Sequence, residues 1–361
     1  MPRSVIVWGT GNVGRPAIRA VLAHHDLELK AVIVSNPDKV GADAGTLAGV
    51  AECGVVARDD WQAVVAEGAD ALVYSATVDT RPEEAVVELL ACLGAGINVV
   101  APGFYFYLDP ECAPAEALEP VAAACRESGA SLFVSGIDPG WVMDMLPTIV
   151  SGASADINEI RCREIFNYAL YDQPQVVREV IGFGSSMDEL PMMLHDFAIE
   201  MVWGPMVKLV GKSLGQPVER LEIEVERRPL TQTIDVPGMG LFEEGTQGAF
   251  RFEVRGFHGG APRFVLEHIT RIDDSCAPDW PRPPEGSGCH QVIVKGSPEL
   301  VVSVHGHDPV EPGVAGGGNA SAAAWLVNAI PAVCDAPAGV LTVLDLPRID
   351  GAAQLRRGDA G

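Results

Sequence analysis

The chain has 361 residues and a mass of 38.1 kDa, which at ordinary domain sizes predicts two domains. Apolar residues make up 48% and charged residues 20%, a composition that excludes a wholly disordered chain. A formal charge of −24 and a pI near 4.6 give a surface that repels phosphate backbones and anionic lipid heads, so no nucleic acid and no membrane is expected as partner.

The apolar run before Gly9 is too short for a signal-peptide core. The longest uncharged run, 313–334, holds several glycines, Asn319, Ser321, Asn328 and Pro331, and reads as a loop entering a soluble helix. The eight cysteines form no C-x-x-C pair and sit mostly among Ala, Val and Leu, as free thiols do; a reducing, cytoplasmic setting is expected.

Over 1–140, short Val/Ile/Leu runs alternate with helix-length segments. Strands are predicted at 4–8, 29–34, 71–75, 98–101 and 131–134, and helices over 15–24, 82–95 and 115–128. The 82–95 segment carries Pro82 in its first turn and Glu83 and Glu84 at its positive end. Over 141–319 the pattern changes to spaced strand-like runs at 157–168, 221–227, 248–257, 263–271 and 291–305. One amphipathic helix is predicted over 187–202, and an exposed Pro/Gly-rich loop over 273–289. The expectation is an α/β domain with a doubly wound parallel sheet followed by an α+β domain with a mostly antiparallel sheet. A helix over 320–333 opens a last segment, 320–361, that returns toward the first domain.

Gly9-Thr10-Gly11-Asn12-Val13-Gly14 follows the first strand and opens a helix with Ala17, Ile18, Val21 and Leu22 at helical spacing. Gly9 suits a tight turn, Gly11 lets backbone approach a pyrophosphate, and Gly14 allows close helix–strand packing. In this context the motif predicts a dinucleotide-binding Rossmann domain. An acid that would hold both ribose hydroxyls is absent at the end of the second strand. The sequence there is Ser35-Asn36-Pro37-Asp38-Lys39, whose Ser35, Asn36 and Lys39 suit a 2′-phosphate. NADP is therefore the expected cofactor, with NAD possible through Asp38. Ser75-Ala76-Thr77, Ala101-Pro102-Gly103 and the turn at Asp138 follow predicted strands and are expected to face the cofactor.

GTGNVG, Ser35 to Gly41, Asp138-Pro139-Gly140-Trp141-Val142-Met143-Asp144, Ile181 to Gly184, Ala277 to Pro281, Val327-Asn328-Ala329-Ile330-Pro331 and Leu344 to Pro347 together resemble the dihydrodipicolinate reductase-like superfamily. The nearest branch is the 2,4-diaminopentanoate dehydrogenase and native amine dehydrogenase group. The resemblance implies a two-domain, homodimeric NAD(P)-dependent oxidoreductase acting on a small carbonyl, imine or amine, and Asn328 is counted with the cofactor residues. Two departures stand out. The His-rich, Lys-containing signature of the reductases of lysine biosynthesis is absent. The glutamate expected after the 98–101 strand is replaced by Phe104-Tyr105-Phe106-Tyr107, with no carboxylate before Asp109.

Hydride transfer needs a proton donor beside the reacting C=O or C=N. Tyr105 and Tyr107 are candidates, because phenols are protonated at neutral pH. On the 157–168 strand, alternation puts Ile160, Cys162, Glu164, Phe166 and Tyr168 on one face and Arg161, Arg163 and Asn167 on the other. Glu164 is thus a carboxylate on an apolar face, able to act as acid or base or to pair with an arginine, and Tyr168 shares its face. His195 flanks an apolar helical stripe. His305, His307 and Asp308 form a solvated turn, and no metal site is expected. The leading expectation is NADP-dependent reduction of a mostly apolar carbonyl or imine. An amine dehydrogenase with Glu164 as relocated carboxylate and a non-catalytic dinucleotide sensor remain the alternatives.

Overall fold

The computed structural model describes residues 1–171, 173–312 and 314–356. Its contacts divide it into two compact units, residues 1–137 with 319–361 and residues 138–318. Of the predicted last segment, residues 357–361 lie outside the described residues.

The first unit begins β1 (Arg3–Trp8), α1 (Gly14–Ala23), β2 (Leu27–Ile33), α2 (Ala44–Leu47), β3 (Ala57–Arg58), α3 (Trp61–Ala66), β4 (Ala71–Tyr74), α4 (Pro82–Gly94), β5 (Asn98–Ala101), α5 (Ala115–Ser128) and β6 (Leu132–Val134). Strands covered on both faces read as continuous apolar runs, and Val5, Ile6, Val7, Leu72, Val73, Val99, Val100 and Phe133 are fully buried. All neighbours pair parallel in the order β6-β5-β4-β1-β2-β3. The order reverses at β1, so the turn after β1 lies at the switch point where such sheets receive ligands.

The second unit contains α6 (Met145–Ser151), β7 (Ala155–Asn167), α7 (Asp196–Ser213), β8 (Arg220–Pro229), β9 (Ile234–Val236), β10 (Gly240–Phe242), β11 (Gln247–His258), β12 (Ala261–Arg271), β13 (Gly288–Ser297) and β14 (Leu300–Val304). Its main sheet runs β14-β13-β7-β12-β11-β8, antiparallel except for the central β7–β12 pair. α6 lies against β7 and β13, and α7 against β11 and β12. α8 (Val314–Asp335) and β15 (Val340–Leu341) follow; β15 pairs with β6 and completes a seven-stranded parallel sheet in the first unit.

Two expected elements are corrected. The helix predicted over 187–202 starts only at Asp196 and runs to Ser213. Pro191 lacks the N–H a continuous helix needs, so Met192–Leu194 make a single 3-10 turn and His195 becomes the helix N-cap. The expected helical stripe is split accordingly, and Leu190 and Phe197 are exposed. The strand expected over 291–305 is two strands, because the chain turns at Ser297-Pro298-Glu299 and β14 folds back antiparallel on β13. β13 also starts at Gly288, which takes Cys289 out of the expected loop. Among the described residues no helix is long and apolar enough to cross a membrane. All eight cysteines are free, and burial pushes the Cys125 and Cys289 thiols up to about 11.

Asp144 is 3% exposed and caps α6 by accepting from the Met145 N–H, and burial pushes its carboxyl up to about 7. A carboxyl raised above its unfolded value binds more protons in the folded state. Stability therefore falls as pH rises from the ordinary carboxylate range to about 7 and is flat beyond. Asp144→Asn keeps a capping oxygen without the buried charge. Thermal melts should show the variant more stable than wild type at pH 8, by about 2–4 °C for each kcal/mol recovered, and nearly equal at pH 4.

Candidate active site

In the first unit, the β1–α1 turn is built as a phosphate cradle. Gly9 has φ +103°, and a Cβ there would come within 2.9 Å of the Ser75 carbonyl group. A Cβ on Gly14 would lie 2.1 Å from the Gly9 carbonyl oxygen, so the start of α1 is pressed against the strand end. Gly11 differs: a Cβ there would meet nothing within 4 Å, so its backbone borders open space, as an approaching pyrophosphate requires. The first N–H groups of α1 then offer donors and a partial positive charge. Ser75 Oγ donates to the Trp8 carbonyl at 2.8 Å and ties the β4 end to the β1 end. Lys39 Nζ donates to Thr10 Oγ1 at 3.1 Å and to the Thr10 carbonyl at 3.3 Å. Asn36 spends its side-chain oxygen on the Asp38 N–H, and Ser35 is exposed just past β2. Asn328 on α8 has a buried Oδ1 with no hydrogen-bond partner among the described residues. The cradle and this orphaned acceptor fit a dinucleotide with an amide-bearing ring.

The second unit holds a buried polar cluster. Glu164, toward the C-terminal end of β7, is directly opposite His268 on β12 and His290 on β13. His268 Nε2 lies 2.9 Å from Glu164 Oε1, and His290 Nε2 lies 3.1 Å from Oε2. The Tyr168 hydroxyl donates to Oε1 at 3.1 Å. His268 Nδ1 is 2.8 Å from the fully buried Thr270 hydroxyl, which fixes the ring. Asp138 accepts from Trp203 Nε1 at Oδ1, 2.8 Å, while its buried Oδ2 has no hydrogen-bond partner among the described residues. Ligand atoms of Asp138, Glu164 and His268 lie within 4.8 Å of one another.

Burial and the negative Glu164 raise the Asp138 carboxyl well above the carboxylate range. Glu164 moves the other way. Burial opposes its charge, but His268 and His290 outweigh that and hold it well below the ordinary value. Burial, and then the Glu164 charge, raise the Tyr168 phenol well above its usual value, so it stays a donor. Two carboxyls this close and this far apart in acidity are a fixed anion beside a proton carrier. Aromatic rings enclose them: His268 stacks on Phe252 and Phe250, with centroids at 5.0 and 5.8 Å, and meets Trp203 edge-on at 5.6 Å.

The sequence-predicted residues fall into separate groups. Gly9 to Gly14, Ser75 and Lys39 come together at the cradle. Thr77 is exposed, and Ala76 and Pro102 are half-buried at the ends of β4 and β5. Asp138, expected to face the cofactor, belongs to the Glu164 cluster within the second unit. Tyr107 is buried and its hydroxyl donates to the Ala117 carbonyl at 3.1 Å, a bond inside the first unit. Tyr105 is half-buried on the same turn. His195 stacks on Phe197 at the N-cap of α7 and is not among the residues around Glu164. Among the described residues Glu164 has no arginine partner, contrary to the pairing considered from sequence; Arg161 and Arg163 bind Glu253 and Glu267 on the other face. His305 and His307 are exposed, but Asp308 is buried and accepts from the Val310 N–H.

His268, His290 and Thr270 were missed by sequence reasoning; Trp203 was expected only as a pocket aromatic and not as a donor to Asp138. Alternation places His268 and Thr270 on one strand face, but only strand order reveals which face and which neighbour. His290 sits where a loop was expected to end. Asp138, Glu164 and His268 are also a potential metal-ligand set that the sequence did not suggest. Both Glu164 oxygens already accept hydrogen bonds from ring and phenol donors.

Residues 3–102 match the family described as dihydrodipicolinate reductase, N-terminus, and residues 141–357 match the 2,4-diaminopentanoate dehydrogenase C-terminal domain. The chain is 48% identical over 346 residues to an amine dehydrogenase of Streptomyces virginiae, covering 95% of this chain and 96% of the relative. It is 23% identical to a 2,4-diaminopentanoate dehydrogenase of Acetoanaerobium sticklandii, over 95% and 93% of the two chains. Among solved structures, an amine dehydrogenase from Mycobacterium smegmatis superposes with a TM-score of 0.74 at 20% identity, covering 98% of this chain and 99% of that one.

The glycine geometry separates binding from folding. Gly11→Val points into open space and should leave the melting temperature unchanged while abolishing dinucleotide binding in a fluorescence titration. Gly14→Ala collides with the Gly9 carbonyl and should lower the melting temperature as well.

Proposed function

The chain belongs to the 2,4-diaminopentanoate dehydrogenase-like branch of the dihydrodipicolinate reductase-related NAD(P)-dependent oxidoreductases, and we propose that it interconverts an amine and its carbonyl compound with free ammonia. In the deaminating direction, hydride leaves the carbon bearing nitrogen, water adds, and ammonium departs. The nicotinamide supplies or accepts the hydride. Handling ammonia requires a fixed negative charge to draw in the cation and a group to take its proton.

The observation that carries this reading is the Glu164 carboxylate, kept charged inside an aromatic shell by His268, His290 and Tyr168, with Asp138 beside it. Glu164 supplies the charge. It is too acidic to be a good base, so the proton goes to Asp138, whose Oδ2 is unpartnered and whose affinity for protons is raised. Trp203 orients Asp138 through Oδ1 and leaves Oδ2 for that exchange. The aromatic surroundings, Phe183, Phe250, Phe252 and Trp203, favour an apolar substrate body. The Streptomyces virginiae relative, an amine dehydrogenase by name, supports the amine chemistry over reduction of a carbonyl alone.

NADPH consumption on an aldehyde and ketone panel should depend on added ammonium. Glu164→Gln should lower kcat/KM for the amination by about 10²-fold or more with cofactor affinity unchanged. In the deaminating direction, activity should rise with pH as Asp138 loses its proton, and Asp138→Asn should remove that limb. Carbonyl turnover that is equal without ammonium would overturn the proposal.

We further propose a preference for NADP over NAD. Exposed Ser35, in place of an acid at the end of β2, and Lys39 at the cradle both accommodate a 2′-phosphate. Titrating both cofactors should show tighter NADPH binding in wild type and a reversal in Ser35→Asp, whose carboxylate repels the phosphate and accepts from the ribose hydroxyls.

A further inference from the structure

On the sheet face opposite Glu164, at the ends of β7 and β12, lies a small polar cleft that the amine chemistry does not use. Arg271, paired with Asn167 in the sheet register, lines it together with Asp274, Arg282, Gly286 and Ser287. Arg271 is 3% exposed. Its Nε donates to the Cys276 carbonyl and one Nη2 hydrogen to the Ala277 carbonyl, both at 3.0 Å. Those bonds occupy one edge of the guanidinium and leave the other edge, with both Nη1 hydrogens, unspent. Among the described residues no carboxylate lies within ion-pair distance of it, although every other well-buried charge on this face is paired.

Burying a guanidinium without a counter-charge is costly, and the cleft adds a second one. Arg282 is exposed and is tied to the loop through the Asp274 carbonyl at 2.6 Å. The only acid lining the cleft, Asp274, accepts from Asn167 Nδ2 at 2.9 Å. Two guanidiniums against one carboxylate leave one positive charge in a concave, partly desolvated place. Burial, and then the neighbouring Arg282, lower the pKa of the Arg271 guanidinium below its ordinary value, against the smaller opposing pull of Asp274 and Asp279.

We propose that this cleft is a binding site for a small oxyanion, best fitted by a carboxylate group held on the free edge of Arg271 with Arg282 closing over it. A planar carboxylate matches the two parallel N–H directions of a guanidinium edge, and a single negative charge neutralises the cleft. Ile165 contributes an apolar wall to the cleft and belongs to a buried cluster with Ile269, Cys276 and Trp280.

The test is calorimetric titration of the full-length protein with malonate and, separately, with inorganic phosphate. Saturable binding of malonate should weaken about tenfold in Arg282→Ala, an exposed position where folding is not at risk, and in Arg271→Lys, which keeps the charge and loses the fork. NADPH affinity, titrated in parallel, should be unchanged in Arg282→Ala, which separates this site from the dinucleotide cradle. Phosphate binding that is equally sensitive to Arg282→Ala would still support an oxyanion site and would widen its class. No saturable binding of either anion, or binding unaltered in Arg282→Ala, would overturn the proposal.

Discussion

The constraint on which the second unit turns is the placement of an ionised carboxylate in the middle of a six-stranded sheet. An unpaired charge buried there would cost several kcal/mol or would take up a proton. Glu164 remains charged because the register of three strands puts an imidazole directly on each side of it, His268 on β12 and His290 on β13, while Tyr168 reaches back from four residues on. A one-residue slip of β7 would turn Glu164 to the opposite face, away from both rings. Register, burial and acidity are therefore one property here. The parallel β7–β12 pair inside an otherwise antiparallel sheet is what brings His268 into line.

The two faces of that sheet handle charge differently. On the face away from Glu164, Arg161 and Arg163 share Glu253 and Glu267, and Arg255 adds to Glu253, so each buried carboxylate meets guanidinium. Such a lattice leaves no buried carboxylate without a fixed cation and is inert. On the face covered by α7 the counter-groups are imidazole and phenol rings, and the neighbouring carboxyl, Asp138, is left with an oxygen that has no hydrogen-bond partner among the described residues. The difference between guanidinium and imidazole as partner separates a structural ion pair from a site that can do acid–base work.

Much of the first unit was legible in the sequence because its signals are local. The glycine motif directly after β1, the continuous apolar strands and the Pro82 and Glu83–Glu84 helix start each depend on neighbours a few residues away, and strands and helices fall close to where these signals put them. The two-residue strands β3 and β15 carry no period to read. In the second unit, alternation along β7 correctly separated Glu164 and Tyr168 from Arg161 and Arg163. Identifying what meets Glu164 needed strand order, which is non-local: His268 and His290 lie more than 100 residues further along the chain. The helix expected from 187 failed for a local reason, since the apolar spacing of Leu190, Met193, Leu194 and Phe197 outweighed Pro191 in the reading but not in the backbone.

The aromatic loop after β5 and the buried glutamate of β7 can be read as one substitution of chemistry. Phe104 packs against Tyr74 and Tyr107, and Tyr107 spends its hydroxyl on a helix carbonyl, so this segment has become part of the first unit's core and offers no charge. A protein that handles ammonia must then carry its anion elsewhere, in surroundings dry enough for the charge to be felt and polar enough to keep it ionised. Both conditions are hard to meet on a loop, where water screens the charge. They are met at the centre of a sheet, where backbone geometry holds the donors in place at no further cost in ordering. The same rigidity explains why we assign the proton carrier to a second group. A carboxylate held by three donors is stabilised as the anion and resists protonation, so in the proposed reaction the exchange falls to a neighbour whose affinity for protons is raised, which we propose is Asp138.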